Sequence, residues 1–394
     1  MNADWEAARR ILCVRLDNMG DVLMTTPALR ALKAGCKDRH ITLLASPSGA
    51  AVARMVPEID AVIPFEAPWM KGGGAQPAVG AGQDDAVRAR VAAGGFDAAV
   101  IFTVYSQSPL PAAYFCYIAG IPLRLAHCRE NPYRLLTDWV AETEPAAGVR
   151  HEVQRQLDLV SHVGCHVANQ RLSFVVRDQA CQRVRRLLAA QGLDFTRPWV
   201  LLHSGATAPS RRYPAAHFAE AIRLLAAGGC QTVLTGSSGE AADVLSIQQQ
   251  AAVRTWSLAG QLDLAELGAA VFLADVVVSN NSGPAHLAAA IGTPLVDLYA
   301  LTNPQHTPWQ VRHVLLFHDV PCKYCYRSVC PQGHQDCLAR VEPQRVAAAV
   351  RALQPFSARR TIRDLMQFTP PGRLPAGACN ASSFDRAPCA DSES

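Results

Sequence analysis

The stretch that decides the fold is "DVVVSNNSGPAHLAAAIGTPLVDLYA", residues 275–300. The apolar run after Asp275 reads as a strand buried on both faces. A tight polar turn follows. A helix of Ala, Leu and Ile then starts at Gly283, with Pro284 in its first turn, where a missing N–H costs nothing. A second apolar run starts at Leu295. Working outward, the same alternation runs upstream. "WVLLHSG" (199–205) predicts a strand, "AAHFAEAIRLLAAGG" a helix, "QTVLTG" a strand, and "EAADVLSIQQQAA" and "DLAELGAAVFLA" two helices. The first half repeats the scheme. "RILCVRL" (10–16), "HITLLAS" (40–46) and "FDAAVIF" (96–102) predict strands, with a helix at "TPALRALKA" (26–34). The expected architecture is α/β, two doubly wound Rossmann-like domains facing a cleft.

Segment 150–195 joins the halves, with a helix expected at "EVQRQLDLVSHVG" and a strand at "QRLSFVV". The expected units are 1–185, 186–355 and a disordered tail, 356–394. The Gly/Pro-rich stretch 64–85 reads as a mobile loop. With 394 residues, 49% hydrophobic and 18% charged, the bulk is globular. A net charge of +4 argues against a nucleic-acid binder. It suits a protein that holds phosphates or touches an anionic membrane surface, without demanding either. The N-terminus shows no secretory pattern, and its apolar run is interrupted by Arg15. A cytoplasmic protein is expected, with peripheral contact at a membrane left open. Thirteen cysteines, mostly single in apolar runs, suit buried reduced thiols.

Four stretches carry chemistry. In "RLDNMGDVLMTTPALRAL" (15–32), Asp21 falls at the mouth of a helix just after a strand. There an ionised carboxylate is favoured and can take a proton from an incoming hydroxyl. A plain helix N-cap fits the stretch equally well. In "HSGATAPSRRYPAAHF" (203–218), a buried strand runs into Ser204 and Thr207, and the pair Arg211–Arg212 follows. Small hydroxyls, backbone N–H groups and guanidinium forks suit a diphosphate. In the opening stretch, the helix N-terminus at Ser282 and Gly283 leaves donors that need an anion, or caps from Ser282 and Asn281. His286, one turn in, is either a ligand or a packed core residue. Together the two turns point to a nucleotide diphosphate. Glu240 in "TGSSGE" is a weak candidate for the nucleoside. The fourth stretch, "PCKYCYRSVCPQGHQDC" (321–337), spaces Cys322, Cys325, Cys330 and Cys337 around His334. Clustered thiols suggest a structural metal, but the spacing is not a standard zinc one; reduced thiols or a local disulfide remain alternatives. No G-x-G-x-x-G follows the first strand and no P-loop motif occurs, which disfavours a dinucleotide dehydrogenase or P-loop enzyme.

Taken in order, "MGDVLMTTPALRALK", "HSGATAPSRRYP", "LAGQLDLAELGAAVFLADVVVSNNSGPAHLAAAIGTPLVDLY", "NPQHTPW" and the cysteine block resemble glycosyltransferase family 9, the lipopolysaccharide heptosyltransferases. The resemblance covers roughly residues 10 to 350. It implies a GT-B fold, with acceptor on the N-terminal domain, donor on the C-terminal one, and a last helix near 343–355 that crosses back. It implies transfer of heptose from an ADP-activated donor to a lipid A-linked core acceptor, with inversion and with neither metal nor cofactor. By motif, Asp21 resembles the general base. Arg211 and Thr207 fall on the donor phosphates, Ser282 and Gly283 on the helix end that receives the diphosphate, and His286 on the motif's His. Asn281 departs from the family's usual Asp, which contacts donor-sugar hydroxyls. That exchange trades an acceptor-only group for one that donates and accepts, and leaves the donor's identity open. A family member using another nucleotide sugar, a sugar-nucleotide epimerase and a non-catalytic sugar-nucleotide binding protein are the competing readings.

Overall fold

The computed structural model describes residues 3–36, 38–70 and 81–354. Two six-stranded sheets form its centre. The first holds β1 (Arg10–Arg15), β2 (His40–Ala45), β3 (Ala61–Pro64), β4 (Ala98–Ile101), β5 (Leu123–Cys128) and β6 (Asp138–Ala141), in the order β3-β2-β1-β4-β5-β6. The second holds β7 (Trp199–His203), β8 (Gln231–Thr235), β9 (Trp256–Ser257), β10 (Val276–Asn280), β11 (Leu295–Leu298) and β12 (His313–Leu316), in the order β12-β11-β10-β7-β8-β9. Every pairing is parallel. Strand order reverses between β1 and β4 in one sheet and between β10 and β7 in the other. Such switch points open a crevice at the carboxyl ends of the strands, where α/β sheets bind ligands. The stretches after β1, β7 and β10 are the ones the sequence singled out.

The helix after β1 runs from Met19 to Gly35, seven residues earlier than its apolar periodicity suggests. Pro27 inside it cannot donate to the Leu23 carbonyl one turn back. The Thr26 hydroxyl does so instead, at 2.7 Å. Asn18 and Asp21 form a reciprocal capping box at its start.

Several expectations change. "QRLSFVV" is no strand: residues 170–176 join no ladder. Leu172, Phe174 and Val176 alternate into the core, so its period of two is that of an extended connector pinned between units. Ser173 N–H donates to Thr26 and Val175 N–H to the Met55 carbonyl, while Phe174 fills the space over Gly268. The helix Asp178–Ala190 straddles residue 185 and packs on Leu264–Leu273 of the second unit. Of the expected loop 64–85, residues 71–80 lie outside the described residues, and the helix Ala81–Ala92 begins within it. Helix Pro343–Leu353 packs on Ala215–Ala227 and on β11 and β12, so this helix stays on the second unit; the chain beyond it, with the expected tail, lies outside the described residues. No helix among the described residues is long and apolar enough to cross a membrane.

Candidate active site

Arg15, the last residue of β1, is fully buried and anchors three carboxylates. Its Nε lies 3.0 Å from Asp17, Nη2 3.3 Å from Asp21, and Nη1 2.8 Å from Glu152 on the helix Glu152–Ser161. The Asn18 N–H also donates to Asp21, at 3.1 Å, and Gln107 donates to Asp17, at 2.7 Å. Burial pushes the Asp21 carboxyl up, but Arg15, then His306 and His286, hold it below the usual carboxylate range. Asp17 goes the other way. Burial outweighs Arg15, the Asp21 charge adds to it, and the carboxyl rises to about 6. Two neighbouring carboxylates with divergent proton affinities are a pattern of acid–base sites. Asp21 is the member that stays ionised below the pH at which Asp17 takes up its proton.

Asp21 faces the second unit. Helix Met19–Gly35 packs on helix Gly283–Ile291, end against end. A Cβ at Gly20 would stand 2.6 Å from the His286 ring, and one at Gly283 would meet the Met19 methyl. Glycine at 20 is therefore what lets the two helix ends close. Burial holds the His286 imidazole down to about 3, with His306 adding to the effect and Asp21 opposing it. His286 is thus neutral. The segment before Trp309 docks on the first unit, Gln305 accepting from the Glu152 N–H and Thr307 contacting His151. This brings His306 within 6.4 Å of His286, ring to ring.

The loop after β7 belongs to the second unit. Asn280 at the end of β10 donates to the Ser204 carbonyl at 2.7 Å and accepts from the Tyr213 N–H, tying the two loops together. Ser282 does not cap its helix; its hydroxyl faces the carbonyls of Gly205 and Asn280. Asn281 does not cap it either, and neither end of its amide is bonded. The helix N-terminus at Gly283 therefore opens on the cleft without a side-chain cap. Arg211 sits on the short turn Pro209–Arg211, its backbone N–H on the Ala208 carbonyl, and its guanidinium makes no hydrogen bond or ion pair with the described residues; its charge bears on His286, His306 and Asp297. Arg212 is spent on the Ala206 carbonyl and Thr207 is exposed. Glu240 closes over Gly205, where a Cβ would meet its carboxylate. Burial raises its pKa, but the Ser237 N–H and His203 more than offset this and keep it ionised.

The cysteine block braces this loop. Ser210 bonds the backbone of Arg327 and Ser328, and Gln335 donates to the Pro209 carbonyl. Cys322, Cys325, Cys330 and Cys337 are free thiols lining one small cavity with His334. Cys322 lies 3.8 Å from His334, but among the described residues no group of three or more His, Cys, Asp or Glu is placed to hold a metal ion.

The residues that sequence reasoning missed are Arg15, Asp17, Glu152, Asp297 and His306. Arg15 and Asp297 did leave a signal, each a charge inside an otherwise apolar strand.

Two parallel sheets with their switch points turned to one cleft, a carboxylate on one lip and an uncapped helix end on the other, fit a GT-B type fold. The chain matches the family model of glycosyltransferase family 9 (heptosyltransferase) over residues 87–335, and belongs to that family. Lipopolysaccharide heptosyltransferase 2 of Escherichia coli K12 is 26% identical over 361 residues, covering 87% of this chain and 98% of that protein. A family 9 glycosyltransferase from Veillonella parvula superposes with a TM-score of 0.73 at 20% identity, over 89% of this chain and 98% of that one. An E. coli heptosyltransferase solved with ADP-2-deoxy-2-fluoro heptose superposes with a TM-score of 0.61 at 19% identity, over 89% and 100%.

Proposed function

We propose that this enzyme transfers heptose, or a closely related sugar, from an ADP-activated donor to a lipopolysaccharide core acceptor, with inversion. The observation that carries the reading is the meeting of two helix N-termini: one presents ionised Asp21, the other opens uncapped beside Arg211. Backbone N–H groups and the helix dipole favour a diphosphate at Gly283. The Arg211 guanidinium, uncommitted within the described protein, adds a bidentate donor there. These groups stabilise charge on the leaving diphosphate, the largest electrostatic demand of the reaction. Asp21 takes the proton of the acceptor hydroxyl as it attacks the anomeric carbon on the face opposite the leaving group. Neutral His286 packs on Gly20 and holds the lips together, which excludes water from the donor. The acceptor, a lipid-linked oligosaccharide, meets the first unit from the membrane face.

A thermal-shift panel with ADP, UDP, GDP, CDP and ADP-heptose tests the donor. A ligand at a hundred times its Kd stabilises by about 2.7 kcal/mol. The proposal expects a selective shift with ADP and a larger one with ADP-heptose. A selective shift with another nucleotide overturns the donor assignment and makes Asn281 the first residue to examine.

A further inference from the structure

Resting on the reading of the cleft as a nucleotide-sugar site, we propose that Asp297 is a specificity residue for the donor's sugar: its carboxyl group, on the sheet face shared with Asn281, exchanges hydrogen bonds with sugar hydroxyls. Asp297 is the one charge in β11. Register pairs it with Ser279 of β10, and Asn281 N–H bonds the Leu298 carbonyl. Side chains alternate along a strand. Positions 279, 281 and 297 therefore share one sheet face, at the carboxyl edge where the loop after β7 and Gly283 also lie.

Asp297 is completely buried and neither carboxylate oxygen has a hydrogen-bond partner; Asn281, 2% exposed, has none for its oxygen or nitrogen. Carboxylates elsewhere in the protein are treated differently. Glu152, equally buried, is met by Arg15 and Gln156, and Glu142 by Arg155. A buried charge kept for structure acquires such partners, because an unpaired one is strongly destabilising. His286 Nδ1 and His306 Nε2 are likewise buried without a hydrogen-bond partner, and the Arg211 charge reaches both rings and Asp297. Such a concentration marks a place that a polar ligand completes.

The ligand's chemistry follows from the donors and acceptors. Burial raises the Asp297 acid well above the usual carboxylate range, with the Arg211 charge opposing, so the carboxyl both accepts from and donates to sugar hydroxyls and offers a diphosphate no cation. Asn281 both donates and accepts. The phosphates then lie toward Arg211 and Gly283, and the polyol end of the donor toward Asp297 and Asn281. The class is a nucleotide sugar with free hydroxyls on the transferred unit.

The experiment is calorimetric titration of the wild type and Asp297→Leu with ADP and with ADP-heptose, alongside the melting temperature of each free protein. The wild type is expected to bind ADP-heptose more tightly than ADP. Asp297→Leu is expected to bind ADP within about twofold of the wild type and to lose about 5- to 100-fold on ADP-heptose, the range of one or two neutral hydrogen bonds. Its free melting temperature should match or exceed the wild type's, since a buried polar group without a hydrogen-bond partner has been removed. An unchanged ratio of the two affinities overturns the inference. So does a lowered melting temperature or a failure to fold, because either assigns Asp297 a structural partner. Failure of the wild type to bind either ligand refutes the nucleotide-sugar reading itself and is distinguished by that result.

Discussion

Replacing Arg15 by Met tests the electrostatic frame that holds the proposed base. The guanidinium is fully buried and faces Glu152, Asp17 and Asp21 at 2.8, 3.0 and 3.3 Å. Methionine keeps much of the stem's volume and removes the charge. Glu152 retains Gln156, Asp17 retains Gln107, and Asp21 retains the Asn18 N–H, so the loss is of charge compensation more than of hydrogen bonds. Breaking a buried pair by removing one partner costs about 3–5 kcal/mol. We expect that loss in urea unfolding at pH 7.5. The sign of its pH dependence follows. Without Arg15 the Asp17 and Asp21 carboxyls lose the charge that opposes their burial and rise, and a raised acid stabilises the fold as pH falls. The penalty should therefore shrink by at least about 1–2 kcal/mol at pH 5. Arg15→Lys keeps the charge but loses the fork and should fall between. A penalty below about 1 kcal/mol, or one equal at both pH values, would refute the reasoning.

Other outcomes follow from the same geometry. With Asp17 titrating at about 6, the transfer rate should rise with pH through that value, because an ionised Asp17 competes for Arg15 and makes Asp21 more basic. Asp17→Asn should flatten this limb in a pH–rate profile, and a limb that persists unchanged assigns it elsewhere. The raised Asp17 also lends stability that is lost as pH rises through about 6, so Asp17→Asn should remove that slope from the melting temperature. Gly20→Ala places a methyl 2.6 Å from the His286 ring. Overpacking there costs about 1–3 kcal/mol against a helix-propensity gain of about 1 kcal/mol. It should lower kcat with donor Kd little changed, whereas Gly283→Ala, met only by the flexible Met19 methyl, should be mild.

The sheets were legible because buried parallel strands are continuous apolar runs, and β1, β2, β7, β8, β10 and β11 all read that way. β3, β6, β9 and β12 escaped, since edge strands such as "DWVA" are short and partly exposed, and β5 escaped because Arg124 and His127 interrupt its apolar run. "QRLSFVV" misled because alternation marks any extended chain with one buried side, paired or not. At the site, Asp21 and the helix end at Gly283 were legible from local turn chemistry. The Arg15 network was not, because Glu152 and Arg15 stand 137 positions apart in sequence and only tertiary folding joins them. Asp297 carried its signal openly, as a charge in an apolar strand, but its lack of partners is a property of the folded chain alone.

The measurement that tests the central claim most directly is Asp21→Ala, assayed in parallel for sugar transfer to a lipid A-linked core acceptor and for ADP-heptose binding. Asp21 stands on the first unit, and the groups assigned to the donor stand on the second. Transfer should be abolished while the donor Kd stays within about twofold. Transfer near the wild-type rate, or loss of donor binding in this variant, would contradict the account.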